Sequence, residues 1–245
     1  MAQNDSHSRT ASHVHSVTLV RHGRTAYNAA GRLQGQTDIP LDAAGMWQVE
    51  RAGESLRRLY VDGEQGGRTH TRQMVVSSDL IRAMQTAHAF ADPLGVEVHP
   101  DPRVRERDFG EWEGRTLREL EERWPDDFAA WMAFQGGEMR HGAESKHDVG
   151  MRGAEAVNDW ARRAGDDTDL FVFSHGAWIS QTLQTLLGLD LVHPDFASLM
   201  SLRNAHWVRL IPMDLPDGVI RWRLAAFNQG PAAVEDGGWA DPKLP

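Results

Sequence analysis

Apolar positions along the chain follow two rhythms, and the change from one to the other recurs three times. Val17-Thr18-Leu19-Val20 is a β-branched and aliphatic run that stops at Arg21-His22-Gly23. Met74-Val75-Val76 stops at Ser77-Ser78-Asp79, and Leu170-Phe171-Val172-Phe173 stops at Ser174-His175-Gly176. Short apolar runs with such breaks read as buried strands. The second run leads into Leu80, Met84, Ala87 and Ala91 at helical spacing, and the third into a helical pattern from Trp178 to Leu187. Met46, Val49, Gly53, Leu56 and Tyr60 share one face of a helix over residues 42–60 that Asp42 can cap. Ala154, Val157, Ala161 and Ala164 mark another over 147–164. Residues 96–98 predict a short strand, and residues 207–211 and 219–227 a hairpin around 212–218. This alternation suits one α/β domain.

From residue 100 to 147 the strand rhythm is lost. Residues 116–124 predict a short helix, Pro125 starts another towards Phe134, and residues 136–146 read as a polar loop. Trp112, Trp124, Trp131 and Phe134 make this stretch aromatic, mainly for packing. It reads as a cap inserted at about 109–146. Residues 1–15 read as a disordered polar arm, residues 16–229 as the domain, and residues 230–245, rich in Pro, Gly and Asp, as a loose tail.

Composition narrows the function classes. With 40% hydrophobic residues in 245, a core can form. The formal net charge of -9 argues against a nucleic-acid partner and means that cations for an anionic ligand must be gathered locally. There is no cysteine, hence no disulfide, thiolate metal site or cysteine nucleophile. No apolar run approaches the ~20 residues of a membrane span, so no membrane partner is expected. The polar first 15 residues carry no secretory core, and the cytoplasm is the expected location. The 12 histidines show no metal-binding spacing, and neither a P-loop nor a Gly-x-Ser-x-Gly elbow is present. No metal and no cofactor are expected. Oligomeric state is not legible.

Parallel strands of one sheet would bring the three strand ends to one rim, where ligands of open α/β sheets bind. That rim would hold Arg21, His22, Arg82 and His175, two cations and two imidazoles beside helix N-termini, which suits a dianion. A neutral His22 could attack phosphorus if its other ring nitrogen donates to a backbone carbonyl. Arg21 and Arg82 offer planar forks for phosphate oxygens, and His175 another donor or, protonated, another charge. Gly23 and Gly35 would let backbone amides approach a ligand closely.

Five segments in order carry a resemblance. They are Arg21-His22-Gly23 with Thr25 and Asn28, the run 33–38, Ser78-Asp79-Leu80-Ile81-Arg82 continuing to Ala87, the run 105–114 around Glu106, and Ser174-His175-Gly176. Together they resemble the histidine phosphatase superfamily, also called phosphoglycerate mutase-like, over residues 17–227. The resemblance implies a three-layer α/β/α sandwich with a mostly parallel central sheet and a helical cap. It also implies a phosphohistidine intermediate on His22, with Arg21, Arg82 and His175 binding the phosphoryl group. Asn28, Gln34, Gly35, Gly23 and Gly176 would complete that site. Glu106 by itself reads as an exposed carboxylate paired with Arg105 or Arg107; its place in the motif implies a general acid. Thr25 reads equally as a cap or a ligand.

The sequence departs from the mutase pattern at Arg24, at Arg107-Asp108-Phe109 and at Ala177, and lacks the long mutase insertion. The run 109–114 is more similar to the phosphatase branch. The expected activity is therefore metal-independent hydrolysis of a small phosphorylated metabolite, with a phosphoglycerate mutase or a catalytically inert phospho-ligand-binding module as alternatives. Arg115, Arg140 and His141 could read a second anionic group, but read first as surface charges without a partner.

Overall fold

The computed structural model describes residues 14–63, 72–192, 198–213, 219–231, 238–242 and 244. In chain order the elements are β1 (Ser16–Arg21), α1 (Ala26–Ala29), α2 (Ala43–Tyr60), β2 (Arg72–Ser77), α3 (Ile81–Ala91) and β3 (Val98–Pro100). There follow α4 (Leu117–Arg123), α5 (Pro125–Met132), α6 (Lys146–Ala164), β4 (Thr168–Ser174), α7 (Gly176–Leu186), β5 (Trp207–Met213) and β6 (Arg221–Gln229). The strands form one sheet in the order β3-β2-β4-β1-β5-β6. The first four are mutually parallel, and β5 runs antiparallel to both its neighbours.

The period-two alternation of a strand divides the core in two. Val17, Leu19, Val76, Leu170 and Val172 face α6 and α7, where Val149, Val157, Trp178 and Ile179 meet them. Val20, Val75, Phe171 and Phe173 face α2 and α3, against Val49, Leu56, Ala87 and Phe90. Helices on both faces of a mostly parallel sheet give three layers, as the resemblance implies. The caps are local: Asp42 accepts from Gly45 N, Ser145 from Asp148 N, and Thr116 forms a capping box with Glu119, each worth about 1 kcal/mol.

Several boundaries differ from the sequence reading. The short edge strand is Val98–Pro100 rather than 96–98, because Val98 registers with Val75 and Pro100 with Ser77. Part of the expected loop 136–146 is a 3-10 turn, Gly137–His141. The arm ends earlier than expected: Val14 is buried in the core and its N–H donates to Ala161 O. The arm's residues 1–13, and the hairpin turn at 214–218, lie outside the described residues. The tail is not loose where it is described. Trp239 is 5% exposed and its indole donates to Asn204 O.

The inserted stretch has its own small core of Phe109, Trp112 and Leu120, joined by Leu33, Trp124, Phe128, Trp131 and Ala177. It is anchored by a buried ion pair, Arg107 to Glu138 at 2.8 Å, with side chains 3% and 1% exposed. Removing one partner of such a pair leaves a buried charge unmatched and costs about 3–5 kcal/mol. Glu138→Ala is therefore expected to lose stability on that scale in urea denaturation, and Arg107→Met with Glu138→Leu to recover most of it. Among the described residues no helix is long and apolar enough to cross a membrane.

Candidate active site

The carboxyl ends of β2, β4 and β1 lie side by side, since these strands are neighbours in the sheet. The turns after them are tied together: His22 N donates to Ser174 O at 2.9 Å, and Ser78 N to Phe173 O at 2.9 Å. Arg21, His22, Arg82 and His175 thus converge. The His22 and His175 ring centroids are 5.1 Å apart.

His22 Nδ1 lies 2.6 Å from Gly23 O. A carbonyl can only accept, so the proton sits on Nδ1 and the Nε2 lone pair faces the cavity. Burial holds the His22 pKa well below the usual 6.5, reinforced by the Arg82 and Arg21 charges and opposed by the Gly23 hydrogen bond. At neutral pH His22 is an uncharged imidazole, the form that can attack phosphorus.

Of the two forms expected of His175, donor or cation, the surroundings favour the donor. Its Nδ1 accepts from Arg82 Nε at 3.2 Å, which places its proton on Nε2. Burial lowers its pKa well below 6.5, with Arg82, His22 and Arg21 adding to the effect. It is a neutral donor rather than a cation, and its buried Nε2 has no partner among the described residues. Arg82 differs from expectation. It is fully buried, and its fork is occupied, NH1 by Thr37 O at 2.8 Å and NH2 by Gly35 O at 2.7 Å. It orients His175 and holds the 35–37 turn, with two of its five N–H groups left over. Arg21 lies across Gly176, where a Cβ would meet its guanidinium at 3.3 Å. One of its nitrogens donates to Leu202 O, and its buried Nε is unpartnered.

Glu106 is neither exposed nor ion-paired. Arg105 is taken by Asp79 and Arg107 by Glu138. Glu106 is 9% exposed, and its carboxylate accepts from Arg107 N at 2.8 Å, Trp178 N at 2.8 Å and Ala177 N at 3.2 Å. The last two are free amides of the first turn of α7. Arg152 donates to Glu106 O at 3.0 Å and fixes the backbone from behind.

The two glycines expected to admit a ligand also serve packing, and Gly35 lines the cavity described below. Gly23 N donates to Thr86 Oγ1, and a Cβ there would lie 2.7 Å from Gly45 O on α2. Gly35 has φ +54°, and a Cβ would collide with the Glu113 carboxylate, which accepts from Gln36 N and Thr37 N. Thr25 is the N-cap of α1, in a capping box with Asn28. Asn28 Oδ1 accepts from Thr25 N and Asn204 Nδ2, and Gln34 Oε1 from Thr25 Oγ1, which leaves their amide groups for a ligand.

A cavity of about 460 Å³ opens onto this floor. Arg21, His22, Asn28, Gln34, Gly35, Glu106 and Gly176 line it, whereas Arg82 and His175 sit beneath its wall. Its outer part is Arg32, Lys146, Trp131 and Phe134. Arg115, Arg140 and His141 do not reach it. Arg115 binds Glu111 O, and Arg140 and His141 both bind Asp127. Asn204 and Arg152 escaped the sequence reading, since no local pattern marks them. Among the described residues no group of three His, Asp or Glu side chains is placed to hold a metal ion.

The depressed histidine pKa values have a sign. The unfolded chain takes up protons at these imidazoles below about pH 6.5 and the folded chain does not, so stability falls with pH through that range. A thermal midpoint that declines from about pH 7.5 to about 5.5, and declines less steeply in His175→Asn, is the expected result.

A strand-end cup holding a neutral imidazole, two guanidinium groups and a carboxyl group defines a site for phosphoryl transfer. The chain belongs to the histidine phosphatase superfamily (branch 1), whose model matches residues 17–214. It is 34% identical to a glucosyl-3-phosphoglycerate phosphatase of Mycolicibacterium vanbaalenii, over 91% of this chain and 98% of that one. It is also 34% identical to a probable phosphoglycerate mutase, GpmB, of Yersinia enterocolitica, over 82% and 86%. A solved mycobacterial glucosyl-3-phosphoglycerate phosphatase in complex with VO3 is 30% identical with a TM-score of 0.72, covering 87% of this chain and 99% of that one.

Proposed function

We propose that this protein hydrolyses a small phosphomonoester through a phosphohistidine on His22. The observation that carries the reading is the His22 ring, neutral and held by Gly23 O, with Nε2 towards the cavity. The lone pair of Nε2 attacks phosphorus as the ester P–O bond breaks, and Glu106 gives a proton to the departing oxygen. Arg21 Nε, His175 Nε2 and the Asn28 and Gln34 amides receive the phosphoryl oxygens. Water then attacks the phosphohistidine and returns a proton to Glu106, and phosphate leaves.

The substrate class follows from the outer cavity and from the relatives' names. Lys146 supplies positive charge beyond the phosphoryl floor. Arg32, whose charge is matched by Glu119 at 2.9 Å, adds hydrogen-bond donors, and Trp131 and Phe134 give an apolar surface. A phosphorylated carboxylic acid carrying a further group fits this lining, and glucosyl-3-phosphoglycerate is the first candidate. Such a polyanion does not cross membranes, which supports the reading of a cytoplasmic enzyme. The mutase reading is supported by the likeness to GpmB. Incubation with glucosyl-3-phosphoglycerate and, separately, 3-phosphoglycerate decides between them. Released inorganic phosphate is the expected product, and an isomerised phosphoglycerate without phosphate release would overturn the proposal. Every step uses side chains alone, so dialysis against EDTA is expected to leave the rate unchanged; a loss restored by one divalent ion would contradict this.

A further inference from the structure

Residues 239–241 lie outside the cavity that His22 faces, yet they grip the loop that carries it from two sides. On one side Trp239 Nε1 donates to Asn204 O at 2.8 Å. Asn204 Nδ2 in turn donates to His22 O at 3.1 Å, to Gly23 O at 3.3 Å and to Asn28 Oδ1 at 3.1 Å. On the other side the Gln48 side chain, 1% exposed, accepts from Arg24 N at 2.8 Å and donates to Trp239 O at 2.7 Å. The Arg24 guanidinium reaches Ala240 O at 2.7 Å. The indole packs on Trp47 and edge-on against His206, each at 5.4 Å between centroids.

The two sides meet at the Gly23–Arg24 peptide, whose oxygen is reached by Asn204 and whose N–H is taken by Gln48. Gly23 O accepts from His22 Nδ1 and so sets the tautomer and direction of the ring. Residues 22–24 belong to no helix or strand. Their carbonyls depend on donors from elsewhere in the chain. Arg24 O accepts from Asp42 N, His22 O from Ala205 N and Asn204 Nδ2, and Gly23 O from Asn204 Nδ2 as well as from His22. Asn204 O is held by Trp239 Nε1 and lies 3.1 Å from His206 Nδ1.

We infer that Trp239 is a positioning residue for His22, and that the segment 239–241 acts as a clamp on the nucleophile's turn. The inference rests on His22 being the nucleophile. Its chemical content is small and specific: an indole N–H fixes Asn204 O, Asn204 Nδ2 fixes Gly23 O, and Gly23 O aims Nε2 at phosphorus. Misplacing a reacting atom by about 1 Å can cost about 10²-fold in rate.

Trp239→Phe keeps an aromatic ring against Trp47 and removes the donor to Asn204 O. It is expected to lower kcat about tenfold with KM changed less than about twofold, at a thermal midpoint close to the parent's. The low-field proton signal of His22 Nδ1–H, identified by its loss in His22→Ala, is expected to shift or broaden in the same variant. A chain ending at residue 230 is expected to lose about 10²-fold; if it does not fold, Trp239→Phe decides alone. Parent-like kcat together with an unchanged Nδ1–H signal in Trp239→Phe would overturn the inference. So would a drop in thermal midpoint and rate with the signal unchanged, which marks a merely structural role. The signal needs no substrate. A parent chain inactive on every phosphomonoester, with a signal that still depends on Trp239, would sink the phosphatase reading and support the clamp.

Discussion

Replacing His22 by alanine is expected to lower turnover by about 10⁴-fold or more, because it removes the atom that forms the bond to phosphorus. Neither His175 nor Glu106 can substitute. His175 Nδ1 is tied to Arg82 Nε and its Nε2 carries a proton. Glu106 is held by three backbone amides at the start of α7 and beside it. Folding should survive, since the side chain makes one hydrogen bond, to the next residue's carbonyl, worth about 1 kcal/mol. The check is a single-turnover assay with a phosphorus-labelled substrate quenched in acid or in base. The parent chain should carry base-stable label and the variant none. Retained turnover in a well-folded His22→Ala chain would remove the mechanism.

Glu106→Gln is the second large effect, and its size should depend on the substrate. An alkyl phosphate leaves as a strongly basic alkoxide and needs a proton as the bond breaks, so a loss of about 10²- to 10⁴-fold is expected. An aryl phosphate leaves as a weak base and should lose about tenfold or less. Glutamine can keep its oxygen on Arg107 N and Trp178 N, the two contacts at 2.8 Å, and put its amide where the longer Ala177 contact was. The fold should therefore persist, and parallel measurement of both substrate types with a thermal midpoint reads chemistry apart from stability. Equal losses on both types would assign the proton to another group.

Much of this was legible because it is local. Each strand, its polar stop and its following helix lie within about twenty residues, so the rhythm of apolar positions places the rim. Parallel pairing of β2, β4 and β1 then does the rest. Glu106 was not legible from its surroundings. Its neighbours are cations, but Arg105 finds its carboxylate 26 residues away and Arg107 finds one 31 residues away, which frees Glu106 for the amides of α7. Which form His175 takes, and what already occupies the Arg82 fork, were not legible for a related reason. Residue type states what a side chain can do, whereas burial and partners decide its protonation and its free donors. Trp239 was missed because composition is an average: one indole in a polar tail, bonded to a carbonyl 35 positions back, leaves the average unchanged.

Arg21 and Arg82 meet no carboxylate at ion-pair distance among the described residues, although other arginines nearby do. The empty protein thus bears two buried positive charges whose natural counterion is the group it removes. Inorganic phosphate, once released, is still the best-matched tenant for that floor. Hydrolysis should therefore be throttled by its own product, so that throughput rises and falls inversely with the phosphate level of the surrounding medium.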